Sequence, residues 1–555
     1  MRRVLVSLVF LSIVSAIPLW AQSESATVSG RVSDSSGAAI RQADVVLTNA
    51  DTNVEERTTT NDVGLYVFTG VRPGRYRIVA GATGFKTLIK EALTLHVQDE
   101  LSENFLLSVG SVSETVSVSA DAAPINTTDA SVSTVIDSKF VENMPLNGRS
   151  IQSLILLTPG ITVVPGAFAT TQGEFSVNGQ RTETNYYTVD GVSANTGVYN
   201  VYQMQGTPQE TQLGTTQTLV GVDALQEFRI STSTYSSEYG RSPGAQISLQ
   251  TRSGANQWHG SAFDYFRNDD LDSNNWFNDQ ADLPKTAERQ NDFGGTMGGP
   301  VRIPGVYNGK DKTFFFFSYE GLRLINPHPA LTVKVPDALL RTASPAAILP
   351  LVDQFPIANG ADLNDGTALF TASYSSPSSL NSYGIRIDHT FSPKLSIFGR
   401  FADTPSSTVS RGGDFVGLDT NTGSVKSLTI GATSVFSPRI TNEFRFNYTQ
   451  NNGANNDVED TFGGAIPLTF AKVMPGITPP KYSEFSSFFS FLGSGGGIQT
   501  FLNIGVVPSN QWNITDNLSS TFGSHTLKYG FDYRHQTGTV GSSQLTNDFF
   551  LLQPR

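Results

Sequence analysis

From His259 onward, apolar side chains recur at every second residue of short segments. In the segment from Tyr529 to Arg534, the odd positions are aromatic and the even positions are glycine or charged residues. A period of two places successive side chains on opposite faces of an extended strand. After residue 21 no apolar run approaches the roughly 18 residues of a membrane-spanning helix, so any insertion into a membrane requires strands.

The same alternation runs through other segments of the second half of the chain. The apolar faces of three of them carry Tyr383, Ile385, Ile387 and Phe391, then Phe444, Phe446 and Tyr448, then Trp512, Ile514, Leu518 and Phe522. The opposite faces are polar, as at Arg386, Arg445 and Asn513. We predict about nine strands, over residues 259–267, 292–301, 313–323, 382–391, 394–402, 427–436, 440–449, 511–522 and 525–535.

The connections between these strands alternate between short and long. Tight turns are predicted at 391–394, 436–439 and 523–524, and long loops at 324–381, 403–426 and 450–510. A soluble sandwich also alternates apolar and polar residues, but it does not require short turns at one rim and long loops at the other. Both features are typical of an antiparallel barrel in the outer membrane, with periplasmic turns and extracellular loops.

Nine strands are too few to close such a barrel. Bacterial single-chain barrels have even strand numbers, and one with a plugged lumen has about 22. Residues 257–555 are therefore predicted to be the first part of a transmembrane barrel in a truncated chain, either a fragment or the product of a disrupted gene. An open edge in lipid leaves backbone groups without hydrogen bonds, at several kcal/mol each.

Composition excludes several functional classes. The net charge of −12 argues against binding the phosphates of nucleic acids. Cysteine is absent, which excludes disulfides and thiolate zinc sites, and the six histidines are dispersed. Asp269, Asp270, Asp272 and Asp279 offer carboxylates for Ca²⁺ but lack the EF-hand spacing, so a solvated outer loop is preferred. We predict no catalytic residue, metal or cofactor, and hence no enzyme.

The first 21 residues have the layout of a secretory signal. Two arginines precede an apolar stretch of about 14 residues, which is shorter than a membrane-spanning helix. Cleavage is predicted between Ala21 and Gln22. Leu19, two positions before the last residue removed, is larger than the small residue usually found there.

Residues 26–109 contain short alternating segments separated by turn residues, including Pro73-Gly74. The pattern SGRVSDSSGAAI, ADVVLTN and TTTNDVGLYVFTGVRPGRYRIVAGATGF closely resembles the carboxypeptidase regulatory-like domain. That resemblance implies a prealbumin-like β-sandwich without catalytic activity. Its single histidine, His96, is interpreted as an ordinary strand residue.

Residues 110–133 are predicted to be an edge strand followed by a linker, or a segment with a partner-binding role. Glu114, Thr115, Val116, Ser117, Val118, Ser119 and Ala120 resemble a TonB box, the peptide by which a TonB-type energy-transducing protein engages a transporter through strand addition. Because main-chain hydrogen bonds dominate that interaction, a seven-residue match is weak by itself.

Residues 134–256 carry the more specific resemblance. The segments VENMPLNGRSIQSLILLTPGI, FSVNGQRTETNYYTVDGVSANTG and VDALQEFRISTSTYSSEYGRSPGAQISLQTRSGANQWHGSAFDYFRND closely resemble the plug of Oar-like TonB-dependent receptors, and its junction with the barrel. The resemblance assigns Asn178, Gly179, Arg181, Asp190 and Gly191 to a motif of the central plug sheet. Arg181 and Asp190 are expected to hold the plug to the barrel wall.

The predicted fold is therefore mainly β: a prealbumin-like sandwich, an α+β plug and an incomplete antiparallel barrel. The resemblance implies an outer-membrane transporter whose partners are a TonB-type protein, membrane lipid and an unidentified substrate, with the sandwich and plug on the periplasmic side or in the lumen. A surface adhesin anchored by the barrel is the alternative. A peptidase lacks a candidate nucleophile or metal site.

Overall fold

The computed structural model describes most of the chain. The described ranges are residues 24–110, 115–119, 130–143, 151–163, 175–195, 219–240, 242–346, 348–412, 415–468, 483–491, 497–501, 504–523, 525–538 and 543–551. The predicted signal, its cleavage point at Ala21 and Gln22, and the outer residues Glu114 and Ala120 of the predicted TonB box lie outside these ranges.

The N-terminal unit, here called the sandwich, consists of two facing sheets. Its strands are β1 (Ala26–Asp34), β2 (Asp44–Asn49), β3 (Glu55–Thr59), β4 (Leu65–Val71), β5 (Gly74–Gly81), β6 (Thr87–Leu95), β7 (Glu100–Ser102), β8 (Phe105–Leu107) and β9 (Thr115–Ser119). One sheet has the order β4-β1-β7, with β8 also paired to β1, and the other has the order β3-β2-β5-β6-β9. Inward residues of both sheets, among them Val28, Tyr66 and Ile78, form one buried apolar core.

The predicted TonB box contributes the last strand of the second sheet. β9 runs parallel to β6, with Thr115 beside Thr87 and Ser119 beside Glu91. Within the described residues β9 has no second neighbour, so it forms one edge of the sandwich. An edge strand keeps one row of backbone donors and acceptors available for pairing.

The second unit, here called the plug, combines a five-stranded sheet with short helices. Its elements are β10 (Val132–Asp137), α1 (Ser138–Asn143), α2 (Ile151–Ile155), β11 (Ile161–Val163), β12 (Phe175–Val177), β13 (Tyr186–Val189), β14 (Val192–Ser193), β15 (Leu225–Ser233) and β16 (Gln246–Thr251). The sheet order is β10-β15-β16-β13-β14, while β11 and β12 pair separately. Ile151, Leu154, Phe228 and Ile247 belong to the buried core of this unit.

The third unit is dominated by long antiparallel strands. Its elements are β17 (His259–Asn268), α3 (Trp276–Gln280), β18 (Arg289–Pro300), β19 (Arg302–Ile303), β20 (Tyr307–Asn308), β21 (Thr313–Pro336), α4 (Ala338–Ala343), α5 (Leu349–Asp353), β22 (Thr367–Ser392), β23 (Leu395–Arg411), β24 (Gly417–Ser437), β25 (Ile440–Glu459), β26 (Ser483–Phe491), β27 (Gly497–Phe501), β28 (Ile504–Phe522), β29 (His525–Gly538) and β30 (Ser543–Leu551). Nine of them form one sheet, here called the wall, in the order β17-β18-β21-β22-β23-β24-β25-β28-β29. β26 pairs with β27 and β30 in a separate small sheet.

The wall has two different faces. Ile385 and Ile387 are 43% and 47% exposed on its outer face, whereas the alternating residues Arg386 and Asp388 are each 3% exposed on its inner face. A mainly β fold with a sandwich, an α+β plug and an antiparallel barrel-like sheet confirms the predicted fold class. Among the described residues β17 and β29 each have a single neighbour in the wall. No helix in the described part of the chain is long and apolar enough to cross a membrane.

The predicted long loops are wrong over much of their length. β21 and β22 pair from Thr313 with His389 as far as Pro336 with Thr367, and β24 and β25 pair from Ser437 with Ile440 as far as Gly417 with Glu459. A strand of 26 residues reaches about 85 Å, far beyond the roughly 30 Å of a bilayer core. The alternation with an exposed apolar face marks only the lipid-facing part, since the hairpins continue beyond it with mixed polar and apolar residues.

The far ends of these hairpins carry an apolar cluster of their own. It consists of Val335, Leu351, Phe355, Phe370, Phe415, Val416 and Leu468. Beside this cluster, Arg411 forms an ion pair with Asp460, and its guanidinium carbon lies 4.2 Å from the ring centre of Phe462. The cluster therefore gives the outer end of the wall a packed core.

Candidate functional site

A buried aspartate of the plug lies against the inner face of the wall. Asp190 and Gly191 form the turn between β13 and β14, with φ angles of 52° and 86°. The Oδ1 atom of Asp190 accepts hydrogen bonds from the Thr251 amide at 3.0 Å and from Gln250 Nε2 at 3.0 Å. Asp and Gly tolerate this left-handed backbone region better than most residues, so the sequence favours a turn that aims a carboxylate at the wall.

Two arginines of the wall reach this carboxylate. Arg386 Nη1 on β22 donates to Asp190 Oδ1 at 2.9 Å, and Arg400 Nε on β23 lies 3.7 Å from Asp190 Oδ2. The other side of the Arg386 guanidinium donates to Asp388, with Nε 3.0 Å from Oδ2. Arg386 therefore joins a carboxylate of the plug to a carboxylate of the wall.

An aromatic ring packs against the same cluster. The guanidinium carbon of Arg386 lies 4.2 Å from the ring centre of Phe398 on β23, and that of Arg445 on β25 lies 5.3 Å from it. Side-chain exposure is 3% for Arg386 and 0% for Asp190. Removing one partner of such a buried pair costs about 3–5 kcal/mol, because the other charge stays buried without compensation.

Several further contacts join the plug to the wall through backbone atoms of the plug. The Ser193 amide donates to Asn513 Oδ1 at 2.8 Å, while its carbonyl accepts from Gln511 Nε2 at 3.1 Å. The Val222 amide donates to Glu320 Oε2 at 2.9 Å. The described contacts of the plug with the wall are thus largely polar.

The sandwich also contacts the plug through titratable groups. His96 Nδ1 lies 2.7 Å from Glu227 Oε2 on β15, and the Val97 amide donates to the same carboxylate. This hydrogen bond raises the pKa of His96 above its ordinary value of 6.5, with Asp99 adding to the effect and Arg229 opposing it. His96 lies just after the end of β6 and binds the plug, so its interpretation as an ordinary strand residue was wrong.

Glu24 lies at the start of the described chain and packs against the plug. The Thr188 hydroxyl on β13 donates to its carboxyl group. Burial raises the pKa of Glu24 from 4.5 to about 8, and the negative charge of Asp190 adds to that shift. Its carboxyl group is consequently neutral at pH 7 in the docked state.

Docking of the sandwich on the plug is expected to weaken as the pH rises. Both groups have raised pKa values when docked, so their contribution is complete below their undocked values and is lost as pH rises through the docked values. Between about pH 6 and about pH 9 we expect the Val97 amide to lose about tenfold of its protection, measured by hydrogen exchange and corrected for the intrinsic rate. The Glu24→Gln/His96→Gln double variant should show no such loss. An equal loss in both proteins contradicts the prediction.

The predicted plug motif residues separate into two groups. Asp190 and Gly191 reach the wall, where Gly191 lies next to the Arg445 side chain. Asn178 and Gly179 form an exposed turn away from it, with Asn178 Nδ2 donating to the Thr232 carbonyl at 3.1 Å. Arg181 is exposed, and its backbone carbonyl accepts hydrogen bonds from the amide and the hydroxyl of Thr184. A role of its side chain in holding the plug to the wall stays a prediction.

No cluster of three or more metal-ligating side chains occurs within the described ranges. Asp269 and Asp272 instead present their backbone carbonyls to the Lys285 ammonium group.

Comparison with protein families identifies the three units. The model of the outer membrane beta barrel domain matches residues 250–550, which is more than half of the chain. The chain belongs to this family. The carboxypeptidase regulatory-like domain matches residues 27–108, and the TonB-dependent receptor plug domain matches residues 124–245. The protein is thus localised to the outer membrane, with the plug inside the barrel. The short turns of the wall then lie on the periplasmic side.

Among curated proteins, the TonB-dependent transporter Oar of Myxococcus xanthus is 28% identical over 312 residues, which is 53% of this chain and 26% of that protein. Among solved structures, the outer membrane transporter YddB of Escherichia coli has a TM-score of 0.47 and 11% identity, covering 75% of this chain and 50% of its own. The siderophore receptor PirA of Acinetobacter baumannii has a TM-score of 0.44 and 12% identity, covering 73% and 48%. The chain therefore spans about a quarter of Oar and about half of each solved structure.

Proposed function

We propose that this protein is a TonB-dependent outer-membrane transporter, in which displacement of the plug opens a path for a solute along the wall. The observation that carries this proposal is the polar character of the plug–wall contact. The described apolar core of the plug contains plug residues only, and the core of the sandwich contains sandwich residues only. No hydrophobic cluster of the described residues joins the plug to the wall.

A polar contact of this kind can be broken without exposing a core. Water replaces the hydrogen bonds that Ser193, Val222 and Asp190 make with the wall, whereas separating apolar surfaces costs roughly 25 cal/mol for each Å² exposed. An external force then needs to overcome mainly the buried charge cluster around Arg386. No bond is made or broken in the solute, so this function requires no catalytic residue.

The edge strand β9 supplies a site at which that force can be applied. Strand addition requires an unpaired row of backbone groups, and β9 has one such edge in the described structure. β9 is the last strand of the sandwich, and the plug follows it along the chain. A TonB-type partner that pulls on β9 therefore applies force to both units. Val116 is 45% exposed, so its side chain is not needed for the sandwich core.

A thiol at the plug–wall contact tests the proposal. Ser193 is 3% exposed and its hydroxyl makes no hydrogen bond in the described structure, while its backbone binds Asn513 and Gln511. Ser193→Cys should therefore preserve the contact and report plug displacement by reaction with a maleimide. We expect labelling at least tenfold faster in cells with an active TonB-type partner than in cells without it.

Val116→Pro is expected to abolish this acceleration, because proline has no backbone N–H to donate to a pairing strand. Val116→Thr keeps the donor and the β-branched shape, and is expected to label as the parent does. If labelling is equally slow with and without the partner, transport by plug displacement is wrong and the adhesin alternative gains support.

A further inference from the structure

The sandwich lies across several periplasmic turns of the wall. Asn61 Nδ2 donates to the Gly523 carbonyl between β28 and β29 at 2.8 Å, and the Thr58 hydroxyl donates to the Pro438 carbonyl between β24 and β25 at 3.4 Å. Asn53 Nδ2 donates to Asp311 before β21 at 3.2 Å. These turns belong to well-separated strands of the wall, so the sandwich spans its periplasmic end.

One side chain of the sandwich enters the charge cluster that holds the plug. Arg72 lies in the turn between β4 and β5, and its Nη1 is 2.5 Å from Asp388 Oδ1. Asp388 is the carboxylate that Arg386 joins to Asp190 of the plug. The guanidinium carbon of Arg72 also lies 5.8 Å from the ring centre of Phe398. Sandwich, wall and plug therefore meet at one continuous set of charges.

At this cluster the ion pair made by the sandwich is more exposed to solvent than the ion pair made by the plug. The side chain of Arg72 is 35% exposed, whereas those of Arg386 and Asp190 are 3% and 0% exposed. Partly exposed ion pairs contribute less than buried ones, because water screens them in the docked state. At this cluster, a force that acts on both units is therefore expected to break the bond of Arg72 with Asp388 before the bond of Arg386 with Asp190.

The position of β9 directs such a force to the sandwich. β9 is hydrogen-bonded to β6 along five residue pairs, from Thr87 with Thr115 to Glu91 with Ser119. A partner that pairs with β9 holds the sandwich through this ladder, while it reaches the plug through the chain that follows β9 and through contacts of the sandwich with the plug such as His96 with Glu227.

We propose that the sandwich is a second gate, which closes the periplasmic mouth of the barrel below the plug and has to leave the wall before the plug can move. This inference rests on the proposed function, because it places an additional step in front of plug displacement. It also gives Arg72 a role in the resting state. Because Arg72 bonds to Asp388, release of the sandwich breaks this bond and weakens the charge cluster around Asp190.

A reversible covalent lock tests this order of events. Asn256 lies at the junction of the plug with the wall, three residues before β17. Its amide donates to the Asp51 carbonyl at 3.0 Å, and its Nδ2 donates to the Thr52 carbonyl at 2.7 Å and to Asp311 of the wall at 2.7 Å. The backbones are therefore close, as a disulfide requires. Because the chain has no cysteine, Thr52→Cys/Asn256→Cys introduces the only two thiols at this contact. It is combined with Ser193→Cys as the reporter, in cells with an active TonB-type partner.

We expect oxidation of the pair to reduce maleimide labelling at position 193 at least tenfold, to the level of partner-free cells, and a reducing agent to restore it. Each single cysteine variant of the pair is expected to label like the unlocked receptor. Equal labelling of the oxidised and reduced receptor overturns the second gate while leaving plug displacement intact. Slow labelling even in the reduced receptor overturns plug displacement itself, and the second gate with it.

Arg72→Ala provides an independent measurement without a covalent lock. Its expected effect is a several-fold lower yield of the Thr52→Cys/Asn256→Cys disulfide in partner-free cells, because the sandwich leaves the wall more often. Arg77→Ala is the matched control, since Arg77 is an exposed residue of the adjacent strand β5. An unchanged yield in the Arg72→Ala receptor contradicts the role of Arg72.

Discussion

Replacing Arg386 with glutamine is expected to raise the labelling rate of the thiol introduced by Ser193→Cys by about 100-fold in partner-free cells. Arg386 neutralises both Asp190 and Asp388 in the docked plug, and its loss leaves these carboxylates buried with Arg400 and Arg72 as their remaining cations. Water hydrates Asp190 once the plug is displaced, so the variant destabilises only the docked state. A cost of about 3 kcal/mol corresponds to this change in rate.

Two further variants make this prediction specific. Lys426→Gln removes a cation from an exposed pair with Asp403 on the wall, and is expected to leave labelling unchanged within about twofold. Adding Asp190→Asn to Arg386→Gln removes one of the uncompensated charges and should recover part of the lost docking. If Arg386→Gln and Lys426→Gln label alike, the charge cluster does not hold the plug.

The second large effect is expected at Gly30 in the sandwich. A Cβ atom at this position would lie 1.8 Å from the Glu103 carbonyl oxygen and 2.9 Å from the Tyr66 ring. The same carbonyl accepts a hydrogen bond from the Tyr66 hydroxyl at 2.6 Å. Gly30→Ala must therefore separate β1 from the segment before β8, at a cost of about 3 kcal/mol or more.

For a domain of this size, that cost lowers the midpoint of thermal unfolding by roughly 15 °C. It can be measured in the whole receptor as the temperature at which residues 26–107 become sensitive to protease. Gly81→Ala is the control, because its new Cβ would lie 3.5 Å from the Thr87 hydroxyl, an ordinary contact. Similar unfolding midpoints for Gly30→Ala and Gly81→Ala would falsify the close approach of Gly30 to the Glu103 carbonyl.

The alternation of residues in the wall was sufficient to predict which face of each strand is buried. Ile385 and Ile387 are exposed and Arg386 is buried, as their spacing indicates. The same pattern could not distinguish Arg386 from Ser382 or Asn513, because all are polar residues on inward-facing positions. The partner of each depends on how the plug sits in the lumen, which pairs residues almost 200 positions apart.

The contacts of the sandwich were not predictable for the same reason. Arg72, Glu24 and His96 are single charged or polar residues without a motif around them, and their partners lie in other units of the chain. Asp190 was singled out only because the surrounding residues resemble a known plug. Its turn geometry, with positive φ at Asp190 and Gly191, then explains why those two residue types are suited to that point.

For the proposed transporter, the length of the wall strands bears on how a solute would be recognised. Beyond the membrane the outer surface consists of paired hairpins closed by an apolar cluster around Phe370 and Phe415. Paired strands have less backbone freedom than open loops, so binding of a solute there would require a smaller loss of conformational entropy. Affinity for a different solute could then change through single side-chain substitutions on these hairpins, without a change in the backbone of the loops.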